Sequence, residues 1–178
     1  EKMRRYSKQL LLSAKKIKLI ATDIDGVLTS GEVILLENNE EIKIWNVRDR
    51  LGMHVLKQYL PEIKVAWITG RQSKQVTARA KELSVDFLVQ SCCDKNKAVI
   101  EIANKLNIDY SRVAYIGDDV IDISVLKNAG LSVCPKDAVD EAKKYSKYIS
   151  KYEGGKGVFR EVCEIVMKAA NVWDKVTG

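Results

Sequence analysis

From Lys16 to Gly31 the chain reads KIKLIATDIDGVLTSG. The apolar run from Ile17 to Ala21 is broken only by Lys18 and runs out into two carboxylates, Asp23 and Asp25, with Gly26 behind them. Run length and β-branching predict a short buried strand. Two carboxylates at the mouth of such a strand repel each other and lose hydration, so a site that keeps both supplies a cation. Asp23 and Asp25 are therefore expected to open a Mg2+ and phosphate site. In an open α/β sheet the ligand crevice lies outside the carboxyl ends of the strands, where this pair falls.

Downstream of Gly31, two β-rich runs flank Glu37-Asn38-Asn39-Glu40 and predict a hairpin over about residues 32–47. Its second run alternates, with Ile42 and Ile44 on one face and Lys43 and Trp45 on the other. A hairpin between a first strand and a first helix is unusual in a βαβ chain, and suits a flap over the site or an edge for subunit pairing. Upstream, residues 4–14 read as a short amphipathic helix. Beyond the hairpin, a helix is expected over residues 50–60, stopped by Pro61, then a strand over 63–68 ending in Thr69-Gly70-Arg71. Helix 73–83, strand 85–89, helix 96–106 and strand 112–116 follow, the last ending in Gly117-Asp118-Asp119. Helix 120–127, strand 131–133, helix 139–144, strand 148–149 and a helix over 158–170 complete the pattern. This alternation predicts a Rossmann-like α/β fold: a doubly wound parallel sheet with helices on both faces, and the small hairpin flap in place of a cap.

The chain has 178 residues, enough for one domain with a substantial core, and the whole of 1–178 is read as that domain. With 46% hydrophobic and 30% charged residues, two prolines and ten glycines, it leaves no room for a long disordered linker. The net charge of +6 is read as a lysine-rich solvated surface, since no basic run is interleaved with aromatics as in a nucleic-acid platform. A positive field also suits a small anionic substrate. Four cysteines without a C-x-x-C pair, beside a single histidine, make a zinc site unfavourable and fit free thiols in a reducing cytoplasm. Leu10-Leu11-Leu12 is too short for a signal peptide and is ended by Lys15 and Lys16, and no stretch is expected to span a membrane. The chain opens at Glu1 rather than Met, which leaves room for leading residues ahead of it.

Three predicted strand ends carry polar groups: Asp23 and Asp25, Thr69, then Asp118 and Asp119. Asp-x-Asp alone suits a surface turn and Gly117-Asp118-Asp119 alone a capped helix start. In a parallel sheet, however, all these ends meet at one edge. The set resembles the motifs of the haloacid dehalogenase-like phosphatases. Asp23-Ile24-Asp25-Gly26-Val27 is similar to their first motif, Ile68-Thr69-Gly70-Arg71 to the second, and Gly117 to Asp122 to the fourth. The third, a lone lysine, is met by Lys95, with Lys97 as its rival. The resemblance covers about residues 16–170 and is strongest to the capless branch of 3-deoxy-D-manno-octulosonate 8-phosphate phosphatases. Trp45 to Asp49, Leu131 to Val133 and Gly154 to Glu161 carry that part of it.

The resemblance implies roles. Asp23 would be the nucleophile, forming an aspartyl-phosphate, and Asp25 the acid that protonates the leaving oxygen and then activates water. Asp25 would need surroundings that favour its neutral form. Mg2+ would be held by Asp23, the Asp25 carbonyl, Asp118 and waters. Thr69 and backbone N–H groups at Gly70 would bind phosphoryl oxygens, and Lys95 would neutralise charge on Asp23 and phosphate together. Asp122 and Asp119 would support Lys95 or a metal-bound water. Arg48 is either a substrate contact or a solvated flap residue, and Lys156 either meets the anionic substrate or caps a loop. His54 is read as surface or packing, and Trp45 as hairpin packing. Arg50 and Ser91 depart from the pattern, where glycine is common.

The leading expectation is a Mg2+-dependent phosphatase of lipopolysaccharide biosynthesis acting on a 2-keto-3-deoxy sugar-acid phosphate in the cytoplasm. A nine-carbon sialic-acid-type phosphate is the alternative. A non-catalytic oligomerising module, as in nucleotide-sugar synthetases, is the contrasting class. With no room for a cap domain, the flap is expected to sit at the interface of a homotetramer, with residues 154–157 near a site.

Overall fold

The structure, a computed structural model, describes residues 6–38 and 40–178. Helix α1 spans Lys8–Ala14 behind its Ser7 cap; the expected start at residue 4 lies outside the described residues. Strand β1 (Leu19–Thr22) follows and is buried throughout. The flap is a two-stranded antiparallel hairpin of β2 (Ile34–Leu35) and β3 (Glu41–Ile42), with Ile34 opposite Ile42 and Leu35 opposite Glu41. Regular pairing is shorter than the β-rich runs suggest, and residues 44–46 lead directly into helix α2 (Val47–Tyr59). That helix begins three residues before the expected start because the Asn46 side chain accepts from the Arg48 N–H at 2.9 Å and caps it.

The remaining elements are β4 (Lys64–Ile68), α3 (Lys74–Glu82), β5 (Phe87–Val89), α4 (Lys95–Lys105), β6 (Val113–Ile116), α5 (Ile123–Asn128), β7 (Leu131–Cys134), α6 (Asp140–Tyr145), β8 (Tyr148–Ile149), α7 (Val158–Ala169) and α8 (Trp173–Thr177). The expected helix over 120–127 opens with a 3-10 turn at Val120–Asp122, while the 3-10 turn at Tyr110–Arg112 and α8 were not expected. Each is five residues or fewer, below what a 3.6-residue period can mark.

Six strands form one parallel sheet in the order β5-β4-β1-β6-β7-β8. Side chains alternate across it. Ile20, Val65, Trp67, Ala114 and Ile116 pack into the core shared with α1, α2, α3 and α7, while Leu19, Ala21, Ala66, Ile68 and Tyr115 face α4, α5 and α6. Helix α7 is the largest single contributor to the first layer. Its Val158, Phe159, Val162, Cys163, Ile165 and Val166 are all at most 1% exposed. Emptying one such position, Phe159→Ala, costs about 3–5 kcal/mol by the usual cavity scale.

Chain direction reverses at β1. From β1 the chain winds outward through β4 to β5 on one side, then crosses back to β6 and winds through β7 to β8 on the other. The gap between the carboxyl ends of β1 and β6 is therefore the topological switch point, where a crevice opens because the flanking crossovers leave in opposite directions.

Candidate active site

Asp23 stands one residue past β1 and Asp118 two past β6, so the switch point is lined by carboxylates from both central strands. Asp23 is 5% exposed, and its Oδ2 lies 2.9 Å from Lys95 Nζ. Lys95 is the first residue of α4, aimed inward because Asp94 caps the helix through the Lys97 N–H. Lys97 is exposed, so of the two lysines it is Lys95 that stands beside Asp23.

Lys95 is held from below by Asp122, fully buried, at 2.8 Å. Asp122 Oδ1 also accepts from the Tyr115 hydroxyl at 2.6 Å, and its Oδ2 accepts from the backbone N–H of Asp118 at 3.1 Å and Asp119 at 3.3 Å. A carboxylate offers about four acceptor positions, and here all four are taken. Asp23, Asp118 and Asp122 bring oxygens within 4.8 Å of one another, but Asp122 has no lone pair to spare for a metal. Asp118 does: its Oδ1 is buried and accepts no hydrogen bond. An orphaned buried oxygen facing a second carboxylate fits a divalent cation between Asp23 and Asp118. Asp119 separates from Asp122 here, because it is exposed and caps the 3-10 turn through the Val120 N–H at 2.6 Å.

Burial first, then the neighbouring carboxylates Asp23 and Asp122, push the Asp118 carboxyl up, and burial outweighs Lys95 to raise Asp23. Burial alone would lower the Lys95 ammonium, yet Asp23 and Asp122 beside it raise it, so it stays charged. Three carboxylates against one ammonium leave the cluster two positive charges short, which a divalent cation supplies. Gly26, at φ +92°, is required: a Cβ there would lie 2.0 Å from Asp118 Oδ2.

Asp25 sits on the flap side. Lys43 Nζ contacts its Oδ1, Arg71 Nε lies 3.9 Å from its Oδ2, and the Thr69 hydroxyl stands 3.5 Å from the same oxygen. Two cations, Lys43 and Arg71, thus stand beside Asp25. Lys43 was missed as a site residue. The signal was its place beside Trp45 on the inward face: Trp45 stacks on Trp67 with centroids 5.6 Å apart, and Lys43 follows it in. Asp25, Gly26, Ser30, Asp118, Asp119 and Asp137 line a cleft of about 280 Å³. A larger cavity of about 450 Å³ along α1 has lysines at its rim but no convergent acid–base set.

The other candidates spread outward. Thr69 is buried and Gly70 is exposed beside the Cys92 carbonyl. The Arg48 guanidinium lies over the Tyr152 ring at 5.8 Å and its stem beside Gly157, and Lys156 is exposed on the adjoining turn. That turn packs against the segment leaving β1: the Gly155 N–H donates to the Val27 carbonyl at 2.9 Å. Arg50 is exposed, its Nε 3.7 Å from Glu82 on α3. Ser91 has φ +53°, the reason a glycine suits that position. His54 is exposed.

Residues 34–162 match the family model described as haloacid dehalogenase-like hydrolase. The chain is 37% identical over 172 residues to the 3-deoxy-D-manno-octulosonate 8-phosphate phosphatase KdsC of Escherichia coli K12, covering 97% of this chain and 90% of that protein. Its fold superposes with a TM-score of 0.91 and 38% identity on the Moraxella catarrhalis phosphatase solved with magnesium, phosphate and KDO, covering 97% and 98% of the two chains. A cobalt-bound phosphatase of the same name from Haemophilus influenzae matches with a TM-score of 0.84 and 31% identity over 89% of this chain and 92% of that one. With the three strand-end motifs, Lys95 and the switch-point cluster in place, this chain belongs to the haloacid dehalogenase-like hydrolases, among the relatives of the 3-deoxy-D-manno-octulosonate 8-phosphate phosphatases.

Proposed function

We propose that this protein hydrolyses 3-deoxy-D-manno-octulosonate 8-phosphate through an aspartyl-phosphate on Asp23. The observation that carries the reading is the Asp23 carboxylate, buried, paired with Lys95 and facing the unpartnered oxygen of Asp118. Asp23, Asp118 and the Asp25 carbonyl would hold a Mg2+, whose charge would offset the repulsion between the carboxylate and the phosphate. Asp23 attacks phosphorus, Asp25 protonates the departing sugar oxygen, and Asp25 then takes a proton from the water that frees phosphate. Lys95 balances charge on Asp23 and phosphate, held in line by Asp122; Thr69 and the Gly70 backbone receive phosphoryl oxygens. Arg48 and Lys156 are the reserve for the substrate's carboxylate.

The enzyme works as a homotetramer in this reading. Val33, Ile34, Leu35, Leu36, Ile42 and Ile44 are 41–66% exposed on the flap, and a lone hairpin of this size is marginal in water. A neighbouring subunit covers them and closes the site. Among the described residues no helix is long and apolar enough to cross a membrane, and all four cysteines are free, which suits the cytoplasm. The test is phosphate release from 3-deoxy-D-manno-octulosonate 8-phosphate with Mg2+ and with chelator, beside glucose 6-phosphate as a neutral control. Chelation abolishes turnover and the keto-acid substrate is preferred. Full activity in excess chelator, or equal use of the neutral ester, would refute the reading.

A further inference from the structure

The flap sends Lys43 into the site, where its side chain is almost sealed. The Lys43 side chain is 2% exposed. Its ammonium contacts Asp25 Oδ1 and lies 2.6 Å from Glu41 Oε1. Glu41 Oε2 in turn meets Arg71 Nη2 at 3.4 Å, and Arg71 Nε returns to Asp25 Oδ2 at 3.9 Å. Four side chains thus close a ring between the flap, the first motif and the end of β4. Burial works against the Glu41 carboxylate, but Lys43 and Arg71 hold its carboxyl below the ordinary value, so Glu41 stays ionised and keeps both cations in place. Removing an ammonium from water costs several kcal/mol unless it is paired, so the ring fixes where Lys43 can sit.

We propose that Lys43 is a positioning residue for the acid–base carboxylate, acting through Asp25 and only when the flap is seated. It holds the Asp25 side chain toward the cleft, and Glu41 and Arg71 hold Lys43. The ring thereby fixes where the Asp25 carboxyl stands relative to the leaving oxygen of the ester. Lys43 itself neither gains nor loses a proton. The proposal rests on the reading of Asp25 as the proton donor.

The experiment compares kcat/KM, which reports the first half-reaction, on two esters. The leaving oxygen of 3-deoxy-D-manno-octulosonate 8-phosphate is an alkoxide that needs a proton, whereas 4-nitrophenyl phosphate releases a phenolate that does not. Lys43→Met should lower kcat/KM for the sugar ester at least tenfold more than for the aryl ester, as Asp25→Asn does, and Lys43→Arg should restore part of the loss. Lys43→Gln, with a shorter neutral stem, takes the same measurement should Met unseat the flap. An equal loss on both esters, with Asp25→Asn still discriminating, would overturn the proposal and leave Lys43 as a seat for the flap. Failure of Asp25→Asn to discriminate would overturn the reading of Asp25 and the proposal with it.

Discussion

The floor of the site and its flap meet at Asp25 and are built in opposite ways. On the floor, Asp23, Lys95, Tyr115 and Asp122 are at most 5% exposed, and they hang from β1, β6 and α4 in the middle of a six-stranded sheet. In the flap, two residues pair on each strand and Leu35 and Ile44 are 62% and 66% exposed. The floor has its donors and acceptors matched within the chain, apart from Asp118 Oδ1. The flap's inner face is satisfied by charge and its outer face awaits cover. Chemistry that needs fixed distances rests on the part whose geometry is over-determined, and closure on the part that is conditional.

The largest break in the floor is Asp23→Asn, which removes the nucleophile at constant volume. Turnover should fall at least about a thousandfold while the far-UV spectrum stays unchanged, a loss of the size typical for a covalent nucleophile. Next comes the joint where the flap re-enters the fold. Asp49 in α2 accepts from the Arg160 N–H of α7 at 2.8 Å, and burial, against that bond, pushes its carboxyl up to about 6. A carboxyl raised in the folded state contributes stability that is present at low pH and lost as pH rises through about 6. Urea titrations from pH 4 to 7 should show Asp49→Asn gaining on the parent by up to about 3 kcal/mol over that window. A constant difference between the two proteins would show that burial does not tune Asp49.

Tyr115→Phe tests the floor from beneath. It takes one donor from Asp122 and should cost about 1.5–3 kcal/mol in chemical denaturation, with a few-fold drop in kcat as Lys95 loosens. On the flap, Ile42→Asp with Ile44→Asp should dissociate the assembly in sedimentation and lower kcat/KM about tenfold, while the sheet keeps its thermal midpoint. A wild-type chain that sediments as a fully active monomer would contradict the shared cover. The smallest effect is reserved for the rim: Arg50→Ala breaks a solvent-exposed pair with Glu82 and should move stability by less than about 0.5 kcal/mol and leave kcat/KM as it is.

The difference between floor and flap also governs what could be read from the chain. The floor was legible because a carboxylate at the end of an apolar run is a conflict visible in one dimension, and two such conflicts, joined by Thr69 at a third strand end, mark one sheet edge. Tyr115 was not, because an aromatic inside a strand reads as core until its hydroxyl is seen to reach Asp122. Lys43 was hidden for a different reason. Its partner is eighteen positions away in the chain, and lysine on a hairpin reads as solvated. The long β-rich runs of the flap suggested a longer ladder than forms, since Trp45 is committed to stacking on Trp67 and Asn46 to capping α2.

Residues 154–157 add a mechanical point. A Cβ on Gly154 would lie 2.1 Å from the Gly26 carbonyl, so that glycine is wedged against the segment leaving β1. The Gly155 N–H grips the Val27 carbonyl, and its own carbonyl is gripped by the Asn46 side chain at 2.8 Å. One loop from near the end of the chain thus pins both feet of the hairpin, the outgoing one before Ser30 and the returning one at Asn46. The same loop therefore ties both feet of the hairpin to the frame of the sheet. Lys43 belongs to the hairpin and the Asp23–Asp25 segment to the frame, so the contact between ammonium and carboxylate is what joins the pinned flap to the chemistry.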